Sequence, residues 1–190
     1  MTRRVSAICL FVGCFCLASV VATAQEVVHA LAGTVSNINL TAKTLTIFTD
    51  DGSYGTFKDL TNPETRIDFD KRIRAGATVA NIFNEKGAFA IVFYFGEGNA
   101  RTAVAVRSLE SGPLTKNTGV VTKFDGRAHL LSIQDGSGKV LSFKIASDTV
   151  AETGIGVVEG IKFQPQKDEQ LQVIASLING NATALFINAM

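Results

Sequence analysis

Cysteine, tryptophan and proline are scarce or missing in this chain, and each shortage narrows what it can be. Its three cysteines, Cys9, Cys14 and Cys16, all fall in one apolar N-terminal segment. No later residue can therefore form a disulfide, a thiolate metal ligand or a thiol nucleophile. Tryptophan is absent and tyrosine occurs twice, so aromatic stacking platforms for sugars or bases are poorly supplied. The two histidines, His29 and His129, stand far apart with no His-x-x-His pair or His/carboxylate cluster around them. Zinc needs three or four convergent ligands, so both are expected to be ordinary solvent-facing or turn-adjacent side chains, with no metal.

An excess of one charge is missing too. Lys plus Arg number 18 against 17 Asp plus Glu, a net charge of +1. Without Arg3 and Arg4 the balance becomes −1, which lacks the basic footprint of a dedicated nucleic-acid binder. The longest apolar run after the N-terminal segment, 88–95, is only strand-sized and cannot span a bilayer as a helix.

The first 24 residues read as a signal peptide. Arg3 and Arg4 supply the positive start, 8–21 is almost unbroken apolar sequence, and Ala22-Thr23-Ala24 fits the small-x-small cleavage pattern before Gln25. The apolar run is shorter than the roughly 20 residues of a spanning helix, which favours cleavage over anchoring. A lipoprotein reading of Phe11-Val12-Gly13-Cys14 places the cysteine too early in the run. The mature chain is therefore expected in a periplasm or the medium.

What the mature chain has in abundance is itself. Gly33-Thr34-Val35-Ser36-Asn37-Ile38-Asn39 reappears as Gly119-Val120-Val121-Thr122-Lys123-Phe124-Asp125. Leu45-Thr46-Ile47 returns as Leu131-Ser132-Ile133, and Thr56-Phe57-Lys58 as Ser142-Phe143-Lys144. A fixed internal period marks a duplicated folding unit. Continuing the alignment matches Gly76 with Gly160, Val79 with Phe163, and Gly98-Asn99-Ala100 with Gly180-Asn181-Ala182. The expected domains are a first repeat over 25–108, a linker over 109–117 and a second repeat over 118–190.

Each copy reads as β. Its apolar positions are mostly β-branched or aromatic, and Leu45 to Thr49 alternates apolar and polar with period two. Gly-rich turn signals such as Asp50-Asp51-Gly52-Ser53 and Asp135-Gly136-Ser137-Gly138 separate the runs. The fold class is therefore all-β: two tandem small antiparallel β-barrels, each starting at its repeated glycine. One short helix or irregular crossover is expected in each, in the first copy between 65 and 75.

The order of Gly-x-Val, Leu-Thr/Ser-Ile, a Phe-Lys strand, Thr, Gly and a final apolar strand resembles the small OB-type barrel domains of exported bacterial proteins. That resemblance implies barrels that often occur in tandem, with no assigned activity and no catalytic residue to carry over.

Candidate chemistry is thin. Asp50-Asp51, Asp68-x-Asp70 and Asp168-Glu169 have the ligand type for Ca²⁺, but lack the spacing of a binding loop and sit where turns use Asx side chains. Gly154-Ile155-Gly156-Val157-Val158-Glu159-Gly160 misses the dinucleotide-loop spacing by one residue and has no surrounding βαβ pattern. No cofactor is expected. The copies differ most at the crossover, where Arg66, Lys71, Arg72 and Arg74 make the first basic while the second is apolar. These four are the candidate ligand-binding residues for an acidic ligand, with Glu64, Asp68 and Asp70 nearby to neutralise them. The second crossover is the candidate contact with a partner or with the other copy. Phe89, Phe93 and Phe95 share one face of a strand and are candidate interface residues.

The expectation for function is a non-catalytic exported module for binding or assembly in the cell envelope, with an envelope protein as partner. A periplasmic binding protein for an oligosaccharide or other anionic ligand comes next, and a carboxylate-dependent hydrolase last.

Overall fold

A computed structural model describes residues 26–49, 52–59, 71–74, 76–109, 113–178 and 180–190. The expected signal peptide, Arg66, and the carboxylates Asp50, Asp51, Glu64, Asp68 and Asp70 lie outside the described residues. The first copy contains β1 (His29–Asn39), β2 (Thr44–Phe48), β3 (Tyr54–Asp59), α1 (Lys71–Arg74), β4 (Thr78–Val79), β5 (Phe89–Phe95) and β6 (Thr102–Ser108). The second contains β7 (Leu114–Asp125), β8 (Leu130–Asp135), β9 (Val140–Thr153), β10 (Gly156–Glu159), β11 (Gln170–Ile178) and β12 (Asn181–Ala189).

Both copies have the same circuit. In the first, β3-β2-β1-β5-β6 are neighbours and β3 meets β6 in parallel; in the second, β9-β12-β11-β7-β8 are neighbours and β8 returns to β9. This is the five-strand OB-type order, with one parallel seam among antiparallel pairs. In the second copy the parallel seam runs from Lys144/Thr183 to Glu152/Asn188 and closes a barrel. In the first it is only Lys58/Thr102 and Asp59/Ala103, so that ring is closed at one short point.

The duplication extends to single hydrogen bonds. A register shift falls at Ser36 in β1 and at Thr122 in β7. In each case the hydroxyl donates to a carbonyl of the next strand, Thr46 O or Ser132 O. The following hydroxyl pairs also match, Thr46 with Thr56 and Ser132 with Ser142. The repeated glycines lie inside their strands rather than at the start, because β1 and β7 each begin upstream. A Cβ on Gly33 would stand 2.5 Å from Phe48 O, and one on Gly119 2.4 Å from Gln134 O. Only glycine allows the two backbones to come that close.

Beyond Lys58 and Lys144 the structure corrects the sequence alignment. The equivalent one-turn 3-10 segments are Ala80–Ile82 and Gly160–Lys162, each followed by a phenylalanine, Phe83 or Phe163, whose N–H bonds back to the turn's first carbonyl. So Gly160 matches Ala80, not Gly76, and Phe163 matches Phe83, not Val79. Similarly Thr102 and Thr183 occupy the same seam position, which displaces the expected match of Ala100 with Ala182 by one residue. Glycine identity misled because glycines recur at turns for local reasons. The expected linker is also shorter. Leu109 is buried in the core, β7 begins at Leu114, and 114–117 pair with β11.

Three apolar clusters account for the core. Val35, Leu45, Ile47, Phe57 and Phe83 fill the first ring; Val121, Leu131, Ile133, Phe143 and Phe163 fill the second. The third lies between the copies and takes Val28, Ile91, Phe93, Val104 and Ile73 from the first with Val150, Ile174 and Phe186 from the second. β5 therefore buries both faces, Ala90 and Val92 inward and Ile91 and Phe93 toward the other copy, which is why its sequence is unbroken apolar. At about 25 cal/mol per Å² of apolar surface removed from water, such a shared layer is a substantial source of stability for two small units without disulfides.

Candidate functional site

The features singled out from the sequence converge on the seam between the copies. Phe93 is fully buried there, and Phe89 and Phe95 are half-buried against the same cluster. This phenylalanine face is thus an internal interface. Lys116 from β7 sits 4.5 Å above the Phe89 ring, a cation–π contact across the seam.

The crossovers meet at the same place. In the first copy the crossover is α1, with Ile73 buried in the shared core and Lys71, Arg72 and Arg74 exposed. In the second there is no helix at that point; β10 folds back on β9, and Val157 N–H donates to Val28 O of the first copy. Gly156, at φ 118°, leaves room for that approach, since a Cβ would meet Val27. Nη1 of Arg72 reaches Oε2 of Glu159 at 3.5 Å, and Nζ of Lys162 holds Oε1 at 3.0 Å. Glu159 is only 2% exposed, so these cations answer a carboxylate of the chain itself.

His29 also departs from expectation. It is half-buried at the seam, with Nδ1 2.7 Å from Oε1 of Glu152, while Glu152 Oε2 accepts the N–H of Ala30 at 2.7 Å. Burial pushes the Glu152 carboxyl above the usual glutamate range, against the lowering effect of those hydrogen bonds. The His29 ring lies beside Tyr94, whose phenol is raised by burial and lowered by Arg101 over its face. His129 is exposed in the β7–β8 turn, as expected. Asp168 occupies a left-handed turn position, and no group of three metal-ligating side chains gathers among the described residues.

Away from the seam, the first copy carries an open feature of its own. A cavity of about 310 Å³ opens at the β1–β2 turn, lined by Ile38, Asn39, Leu40, Lys43, Thr44, Leu45, Ala80, Asn81 and Phe83. From its rim the outward face of β2 and β3 runs as cross-strand pairs: Thr44 with Lys58, Thr46 with Thr56, Phe48 with Tyr54. The Phe48 and Tyr54 rings stand 5.0 Å apart, and Tyr54 is 67% exposed. The second copy puts Leu130, Gln134 and Val140 at the places of Thr44, Phe48 and Tyr54, and Asp125 at that of Asn39. Sequence reasoning missed this face because it weighed differences only at the crossover. The contrast of Phe48 and Tyr54 with Gln134 and Val140 was visible at outward strand positions.

No family model and no curated protein matches this chain.

Proposed function

We propose that the mature chain is a non-catalytic exported module for binding or assembly in the bacterial cell envelope. The observation that carries this reading is the asymmetry between the copies. The seam uses the phenylalanine face, α1 and both crossovers to join them, while the first copy carries an open cavity and an exposed aromatic pair whose rings the second copy replaces with Gln134 and Val140. Export rests on the N-terminal charge, apolar run and cleavage pattern. Two carboxylates largely removed from solvent, Glu152 and Glu159, are engaged by His29, Ala30, Arg72 and Lys162, which supports a structural role for them over hydrolysis. Among the described residues no helix is long and apolar enough to cross a membrane.

A second reading, a periplasmic binding protein for an oligosaccharide or other anionic ligand, is favoured by Lys43 and Lys58 beside the cavity. The test is to purify residues 25–190 and mix them with isolated envelope material. Retention of the protein with no turnover of glycoside or ester substrates is the expected result. Failure to be retained, or release of hydrolysis products, overturns the reading.

A further inference from the structure

We infer that the seam between the copies is also an interface between chains. Two molecules of the mature protein form a two-fold dimer by exchange, the first copy of each packing on the second copy of the other. The partner is thus another molecule of the same chain. The inference stands on the seam alone and supplies a partner for the assembly reading above.

The seam has the form of a dimer interface. In β1 and β7, Thr34 and Val120 hold equivalent places of the repeat, opposite Phe89 and Gln170. Counting along the ladders makes Phe93 the equivalent of Ile174. Ala105, opposite Phe93, is then the equivalent of Phe186, opposite Ile174. Val28 and Leu114, at the entry of β1 and β7, correspond in the same way. All six side chains lie in or against the one shared cluster. Each copy therefore gives the other the same patch of its own surface, which is how two identical subunits meet across a two-fold axis. Nothing in that contact requires the copies to share a chain. The specific bonds across it, Val157 N–H to Val28 O and His29 to Glu152, join a first copy to a second and form in the same way between two molecules.

Only the connection decides which molecule supplies the partner. Leu109 N–H donates to Phe89 O in the first copy, and Pro113 O accepts Leu177 N–H in the second. Three residues, 110–112, bridge these two anchored ends. Short connections favour exchange, because opening them costs no contact that the dimer does not restore.

The mature chain has no cysteine, so a pair of new ones reports on the connection. Val28→Cys and Val157→Cys meet in the seam of residues 25–190. Their disulfide closes within one chain in the monomer and joins two chains in the exchanged dimer. The protein is refolded under reducing conditions at about 10 µM and about 1 mM, below and near the millimolar effective concentration of a short linker, then oxidised and separated by size. The dimer-to-monomer ratio should rise roughly in proportion to concentration, and the dimer's chains should stay joined on a non-reducing denaturing gel. Deleting 110–112 leaves one peptide step, about 3.8 Å, between Leu109 and Pro113, and should make the dimer the main species at about 10 µM. Inserting about eight Gly/Ser residues after Gly112 should restore the monomer. Only monomer from the unshortened chain at about 1 mM, or a dimer whose disulfides each close within one chain, overturns the inference. So does a shortened chain that folds as a monomer. If the exchanged dimer forms but envelope material does not retain it, this inference stands and the binding reading falls; retention of a chain that never exchanges is the reverse.

Discussion

Nδ1 of His29 lies 2.7 Å from Oε1 of Glu152, and the contact ties the first strand of one copy to the longest strand of the other. The second carboxylate oxygen takes the Ala30 N–H, so a single side chain of the second copy fixes two consecutive residues of the first.

Because burial raises the Glu152 carboxyl, the folded chain still holds that proton at pH values where the unfolded chain has released it. Its contribution to stability therefore falls as pH rises from the ordinary glutamate range, about 4.3, through the raised value. Glu152→Gln, which keeps an acceptor for Ala30, should lose this component. Melting temperatures of both proteins across pH 4 to 8 check it: the wild type should lose ground relative to the variant as pH rises through that window. Parallel profiles would show that the carboxyl does not titrate on folding.

Gly33→Ala and Gly119→Ala should each destabilise by about 1–3 kcal/mol or more, since the new methyl meets a carbonyl oxygen of the facing strand. Gly136→Ala is the control, with nothing within 4 Å of its Cβ position, and should stay within about 0.5 kcal/mol. Urea denaturation measures all three. Equal costs would mean that the close approach is not what selects glycine.

Arg72→Ala should cost only about 0–1 kcal/mol, because its side chain is largely exposed and the ion pair is long. Lys162→Ala should cost more. Its Nζ lies closer to Glu159, and its loss leaves that buried carboxylate to Arg72. Thermal unfolding of the two variants ranks them, and the reverse order would contradict this division of roles.

Much of the scaffold was legible in the residues themselves. Leu45, Ile47 and Phe57 with Leu131, Ile133 and Phe143 alternate with period two, and all six are core. The matching register shifts at Ser36 and Thr122 fall at aligned positions of the repeat. The residues of the seam were singled out, but what they meet was not legible, for a physical reason. A strand buried on both faces, like β5, loses its alternation, so Phe93 looks the same whether its outer face meets solvent or the other copy. His29 shows the same limit, since its partner Glu152 is 123 residues away and no local pattern joins them. The register of the crossovers failed because the stretch from Lys58 to Ala80 is six residues longer than that from Lys144 to Gly160, and α1 has no helical counterpart in the second copy.

The central claim is that the two copies share one core and so hold each other folded. Native-state hydrogen exchange of the β2 and β8 amides, in wild type and in Phe93→Ala, tests it most directly. Phe93 belongs to the first copy but lies in the shared cluster, so its loss, about 3–5 kcal/mol for a buried phenylalanine, should lower protection in both strands together. Loss of protection in β2 with β8 unchanged would contradict the account, leaving the copies as two independent units on one chain.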